Sequence, residues 1–152
     1  MILWDALAEN GVERSGIVEA WLELYVPHPG METQQRAREQ FEQELDAALS
    51  DANVCVLVYA GVLLERAGAG GELPSITKEQ YDADLTFIVA DEVLGIAIAT
   101  YVGGTKGLFE YVRFDKKKPG VLSSLPPFLD DVVAGLIGGV SANTYTQSSR
   151  GC

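Results

Sequence analysis

Two segments of this chain share a pattern that few folds can accommodate. "ADEVLGIAIA", from Ala90, and "LDDVVAGLIGG", from Leu129, each set two adjacent acids ahead of an aliphatic run. Each then has small residues where bulk is expected: Gly95, Ala97 and Ala99 in one, Ala134, Gly135, Gly138 and Gly139 in the other. Glycine inside a helix costs about 1 kcal/mol against alanine, so a close approach of backbones must offset it. Helices that meet through such small faces bring neighbouring acids to one point. Buried carboxylates neutralise, pair or coordinate a metal, because isolated ones are too costly. Four together repel unless cations neutralise them, and a hard divalent ion, Mg²⁺ above all, suits an oxygen-only ligand set.

Acidic pairs at helix starts also serve as caps or dipole partners. Asp130 and Asp131, just after Pro126-Pro127, are well placed for that role. Asp91 and Glu92 are preceded by apolar residues and read as mid-helix, which favours ligation for them. Between the two segments lies "RFDKKKPG", Arg113 to Gly120, which adds a fifth carboxylate, Asp115, and the densest positive charge in the chain. Such a run is either a solvated loop or a metal-binding Asp115 beside a lysine that holds a phosphate; spacing alone does not choose.

The rest of the chain reads as helical. "DALAENG" and "GIVEAWLELYV" predict two short helices, ended by Gly11 and Pro27. From Thr33 to Leu49, Ala37, Phe41, Leu45, Ala48 and Leu49 recur at helical spacing among charges, a surface helix with one inward stripe. "ANVCVLVYAGVLLERAG", from Ala52, is apolar on most sides until Glu65 and predicts a core helix, although its valines also permit a strand. Gly68, Gly70, Gly71 and Pro74 predict a loop, followed by a helix over Leu85 to Val102 closed by Gly103 and Gly104. A further glycine-interrupted segment reaches the lysine run. The last helix starts near Pro126-Pro127 and gives way to a polar tail. The expected architecture is all-α, a single-domain helical bundle with a buried central helix over residues 1–146 and a frayed tail over 147–152.

Composition removes several function classes. A formal charge of -11 leaves no basic surface for nucleic acid and disfavours anionic membranes. Cys55 lies in an apolar run and Cys152 is the last residue, so no disulfide framework is expected and a reducing, cytoplasmic setting follows. "MILWDALAENG" lacks the features of a secretory signal. Leu85 to Val102 approaches the length of a membrane span but contains Asp91 and Glu92, so stable membrane insertion is not expected. The small-residue helices would allow a homo-oligomer.

The ordered set "DEVLG", "FDKKKPG" and "FLDDVVAG" resembles the phosphatidylglycerophosphatase A family, whose members carry an Asp-Glu helix, a Phe-Asp-x-x-Lys-Pro loop and an Asp-Asp-x-x-Ala-Gly helix in that order. "LYVPHPGMET" and "ALSDANV" look like the soluble branch of that superfamily, particularly archaeal α-ribazole-5'-phosphate phosphatases of cobalamin assembly. The resemblance implies an all-α bundle and Mg²⁺-dependent removal of phosphate from a small-molecule phosphomonoester. It assigns Asp91, Glu92, Asp115, Asp130 and Asp131 as Mg²⁺ ligands, with Asp115, Lys118 and Asp131 as catalytic residues. Lys118 holds the phosphate, and one carboxylate acts as general base.

Three residues outside the motifs remain open. His28, the only histidine, is a proton donor to the leaving group, a substrate contact at the rim, or a plain surface residue. Glu65 joins the carboxylates or pairs at the surface, and Asn143 is a core hydrogen bonder. Phosphatidylglycerophosphate is the alternative substrate. A catalytically silent helical module that keeps the carboxylates for metal-dependent stability is the alternative function.

Overall fold

The computed structural model describes residues 2–150. Among these, the chain forms seven α-helices: α1 (Ile2–Ala8), α2 (Arg14–Glu23), α3 (Gln34–Leu49), α4 (Ala52–Gly70), α5 (Lys78–Asp82), α6 (Ala90–Lys117) and α7 (Pro127–Arg150). A short 3-10 turn over Gly120–Ser124 joins α6 to α7, and no strand is present among the described residues. Local chemistry sets several boundaries. Thr33 accepts from the Arg36 amide and Asp51 from the Asn53 amide at the starts of α3 and α4. Gly71, at φ 72°, ends α4 in the left-handed region that glycine tolerates.

The central helix is α7. Every residue from Phe128 to Ala142 is buried except Asp130, which is partly so. Helix α4, expected from its apolar sequence to be the core, instead lies on one side of α7. It buries Val54, Val58 and Val62 and leaves Val56 and Leu63 exposed. The reason is the width of the side chains. Small residues around α7 admit neighbours on all sides, whereas α4 is broad and leaves one apolar face uncovered. By length and composition alone α4 could cross a bilayer, whereas Leu85 to Val102, which approaches that length in the sequence, is interrupted by Asp91 and Glu92.

Helix α6 is a hairpin. At Gly104 the backbone leaves helical geometry (φ 65°, ψ -154°), and a Cβ on Gly107 would strike the carbonyl of Ala99. Eight residues of straight helix would separate these two by ~12 Å, so the chain has reversed. Both arms, 90–103 and 105–117, lie along α7. Gly95 faces the Asp131 carbonyl, where a Cβ would come within 2.5 Å, and Gly138 faces the Tyr111 amide at the same hypothetical distance. The hairpin thus returns Asp115 and Lys118 to the end of α7 where Asp91 began.

Several expectations about boundaries need correction. Helix α6 begins at Ala90, not Leu85: Asp84 has φ 47° and the Ile88 amide closes a turn on Leu85, so the apolar residues before Ala90 are not helical. Asp91 and Glu92 are therefore in a first turn. Gly68 and Gly70 are inside α4, with Gly68 giving room to the ring of Tyr81. The polar tail continues as helix to Arg150, with Ser148 buried against the 28–31 turn; Gly151 and Cys152 lie outside the described residues. The core beneath α7 is closed by Trp21, which stacks on Phe41 with centroids 4.5 Å apart and donates to Ser141 Oγ at 2.8 Å. Asn143 donates to the Val102 carbonyl at 3.0 Å, as a core hydrogen bonder.

Candidate metal centre

Four segments converge at the N-terminal end of α7. The first arm of α6 supplies Asp91, the second arm supplies Tyr111 and Asp115, the turn after it supplies Lys118, and α7 supplies Asp130 and Asp131. One carboxylate oxygen from each of Asp115, Asp130 and Asp131 lies within 4.8 Å of the others. Asp131 also sits beside Asp91. Glu92 is exposed at the rim, one residue along from the buried Asp91.

The capping role open to Asp130 and Asp131 is filled by another residue. Glu65, from α4, accepts the Leu129 amide at 2.8 Å through Oε2, satisfying an N–H that the helix itself cannot. Asp130 and Asp131 are free for other work. Asp131 accepts from the Tyr111 hydroxyl at 2.9 Å, which fixes its carboxylate plane. Tyr111 escaped the sequence reading, although it stands one helical turn before Asp115 and so shares its face.

Lys118 acts as counter-charge. Its Nζ lies 2.7 Å from Asp130 and 3.3 Å from Asp115. The backbone at Lys118 is left-handed (φ 45°, ψ 57°) although a bulky residue and a following proline both disfavour it. Pro119 is buried and holds the turn that directs the amine back across the carboxylates.

Burial dominates the electrostatics. It raises the carboxyl of Asp131 to about 9, helped by Asp91 and Asp115, and that of Asp130 to about 6 against the opposing pull of Lys118. Burial likewise raises Glu65, partly offset by the amides of Leu129 and Phe128. It also raises the phenol of Tyr111, with Asp131 and Asp115 adding to the effect, so that the hydroxyl remains a donor. For Lys118 burial acts downward, but Asp130 and Asp115 outweigh it and keep the ammonium charged.

These residues fit a hard divalent cation. The donors are all oxygens, they repel one another, and two of their atoms are orphaned: Glu65 Oε1 and Asp91 Oδ1 are buried without a hydrogen-bond partner. A buried polar atom left in that state costs about 1–3 kcal/mol.

His28 is elsewhere. Its Nδ1 is 3.1 Å from Ser148 Oγ and its ring meets Tyr145 edge-on. Ser148 is 17 residues along α7 from Asp131, ~25 Å at helical rise. His28 lines a separate cleft with Lys106, Glu110 and Thr146, and the fold does not bring it to the carboxylates.

Comparison with known proteins places the chain in a family and a fold. An uncharacterised protein of Methanocaldococcus jannaschii, MJ1330, is 34% identical over 132 residues, covering 84% of this chain and 99% of that one. The low temperature requirement C protein from Listeria monocytogenes superposes with a TM-score of 0.79 at 29% identity, over 97% of this chain and 94% of its own. A protein of unknown function from Bacillus stearothermophilus shares the fold, with a TM-score of 0.82 at 22% identity over 97% of each chain. Residues 17–145, which hold every carboxylate of the centre, match the phosphatidylglycerophosphatase A family, and the chain belongs to that family.

Proposed function

We propose that this protein is a divalent-cation-dependent phosphomonoesterase, with Mg²⁺ as its cation and a soluble phosphomonoester as its substrate, α-ribazole 5'-phosphate first among them. The observation that carries the reading is the lysine among the acids: Lys118 Nζ lies 2.7 Å from Asp130 at the mouth of a carboxylate cluster. Metal-dependent stability alone would need the acids but not the amine. Asp91, Glu92, Asp115, Asp130 and Asp131 would hold the cation. When bound, it supplies charge neutralisation at a phosphate oxygen and lowers the pKa of a coordinated water.

The chain's own groups have separable tasks. Lys118 exchanges Asp130 for a phosphate oxygen, a substitution of one anion for another that keeps its charge paired. Tyr111 orients Asp131 through the 2.9 Å hydrogen bond. A carboxylate of the trio takes the proton of the attacking water.

An apolar groove of about 590 Å³ between α4 and the start of α6, lined by Leu64, Phe87 and Val93 among others, adjoins Asp91 and Glu92 in sequence. The benzimidazole of an α-ribazole phosphate is an apolar bicycle of suitable chemistry for it. The net charge of -11 supports a cytoplasmic, lipid-free setting. The same groove favours one second reading, hydrolysis of phosphatidylglycerophosphate, because Phe87 and Val93 are each 60% exposed and could meet acyl chains.

Phosphate release with Mg²⁺ from α-ribazole 5'-phosphate, simple nucleotides and vesicle-borne phosphatidylglycerophosphate separates these readings. The highest kcat/KM is expected on α-ribazole 5'-phosphate. Preference for the vesicle lipid selects the second reading, and no release from any phosphomonoester at saturating Mg²⁺ refutes both.

A further inference from the structure

We infer that the centre holds two divalent cations rather than one, and that Glu65, together with Asp91 and Asp131, forms the inner position, with Asp131 shared between the two. The inference rests on the cation-dependent reading above and adds to it a ligand from a fourth helical segment. The outer position is the trio Asp115, Asp130 and Asp131, whose oxygens lie within 4.8 Å of one another and are screened by Lys118. Neither Glu65 nor Asp91 belongs to that trio.

Two independent observations define the inner position. Glu65 is 97% buried (3% exposed) and Asp91 96% buried (4% exposed), and each keeps one carboxylate oxygen, Oε1 and Oδ1 respectively, without any hydrogen-bond partner. Among the described residues no cationic side chain pairs with either of them: Lys118 pairs with Asp115 and Asp130, while Arg66, next to Glu65 in sequence, pairs with Glu9 on the surface. Their placement is also directed. Glu65 is anchored through Oε2 to the Leu129 amide in the first turn of α7, two residues before Asp131, and it interacts electrostatically with both Asp130 and Asp91. Asp131 is in hydrogen-bonding reach of both Asp91 and Asp115.

Hard divalent ions bind such all-oxygen sets, and a carboxylate shared between two of them is the usual way that a pair is held at the spacing phosphoryl chemistry needs. Glu65 is then a residue with two tasks, one oxygen closing the start of α7 and the other binding metal.

Mn²⁺ serves as the probe, since it takes the same ligands and is visible by electron paramagnetic resonance. Metal-stripped protein titrated with Mn²⁺ should bind two ions per chain and give a spin-coupled signal. Glu65→Gln keeps an oxygen for the Leu129 amide and should bind one, with the coupling lost. Asp91→Asn, measured alongside, should also fall from two to one and covers the case in which Glu65→Gln does not fold. Wild type binding a single Mn²⁺ while still releasing phosphate overturns the second position and leaves the phosphatase standing. Two coupled ions retained in either folded variant overturn the assignment of the inner ligands. No Mn²⁺ bound at all overturns both readings.

Discussion

Without a bound divalent cation the fold should be sensitive to alkali between about pH 6 and 8. In the folded chain Asp130 keeps its proton up to about pH 6 and Asp131 up to about pH 9, whereas both ionise near 4 when unfolded. The folded state therefore binds more protons than the unfolded one across this window, and stability falls as pH rises. The contribution is fully present below pH 4. Asp130, shifted by about 2 units, accounts for ~3 kcal/mol lost by pH 6. From pH 6 to 8 the proton on Asp131 continues the fall at up to ~1.4 kcal/mol per pH unit, ~3 kcal/mol in all. Against a total of about 5–15 kcal/mol this is large, and at ~2–4 °C per kcal/mol for a domain of this size it lowers Tm by ~6–12 °C between pH 6 and 8. Divalent cations bind only the ionised carboxylates, so their stabilisation should grow over the same interval. Circular dichroism melts at pH 6, 7 and 8, in EDTA and in millimolar Mg²⁺, measure both quantities. A cation-free Tm that is flat or rising from pH 6 to 8, or a Mg²⁺ increment that does not grow with pH, would refute the reasoning.

Asp131→Asn should invert sign with conditions: it removes the group whose ionisation is most costly, so the cation-free protein at pH 8 should melt higher than wild type, while the Mg²⁺ increment and turnover are lost. Lys118→Met should cut turnover by at least ~100-fold, about 2.7 kcal/mol of transition-state stabilisation, yet keep the Mg²⁺-induced rise in Tm; wild-type turnover in this variant would remove Lys118 from the phosphate. Lys118→Gly should be more stable than Lys118→Met by about 1 kcal/mol, because only glycine adopts the left-handed backbone there without strain, and equal urea midpoints would contradict that. Gly135→Ala, whose Cβ would strike the carbonyl of Gly95, should destabilise by about 1–3 kcal/mol or more despite the better helix propensity of alanine. Gly16→Ala, with only Val121 at 3.8 Å, should instead be neutral or gain up to about 1 kcal/mol; a gain in both would show that the close packing of α6 on α7 is not what selects glycine.

What the sequence made legible was local. The acids and Lys118 sit in short motifs whose order survives in the fold, and Thr33, Asp51 and Gly71 mark helix ends by chemistry that acts over one turn. The small residues of both acidic segments were recognisable as packing faces, and Gly103-Gly104 as an interruption. That the interruption folds the chain back on itself depends on α7 lying between the two arms, which no local pattern records. Leu85 to Val89 continues the apolar pattern of α6, while the left-handed turn at Asp84 and the non-helical backbone at Val89 set the boundary. As a result the ground for ligation by Asp91 changed. It is the burial of an unpartnered oxygen, not a mid-helix position. Apolar content pointed to α4 as the core helix, but the capacity to be surrounded belongs to the thinner α7. His28 stood out by being the single histidine, and its seat on Ser148, ~25 Å along α7 from Asp131, is a property of the assembled bundle alone.

The most direct measurement is phosphate release from α-ribazole 5'-phosphate by metal-stripped protein before and after Mg²⁺ is restored, with Asp131→Asn run in parallel. Release is expected to be at background without the cation, to rise saturably as Mg²⁺ is added, and to stay at background throughout for Asp131→Asn. Equal release with and without Mg²⁺, or undiminished release by Asp131→Asn, would contradict a carboxylate-held cation as the source of the chemistry.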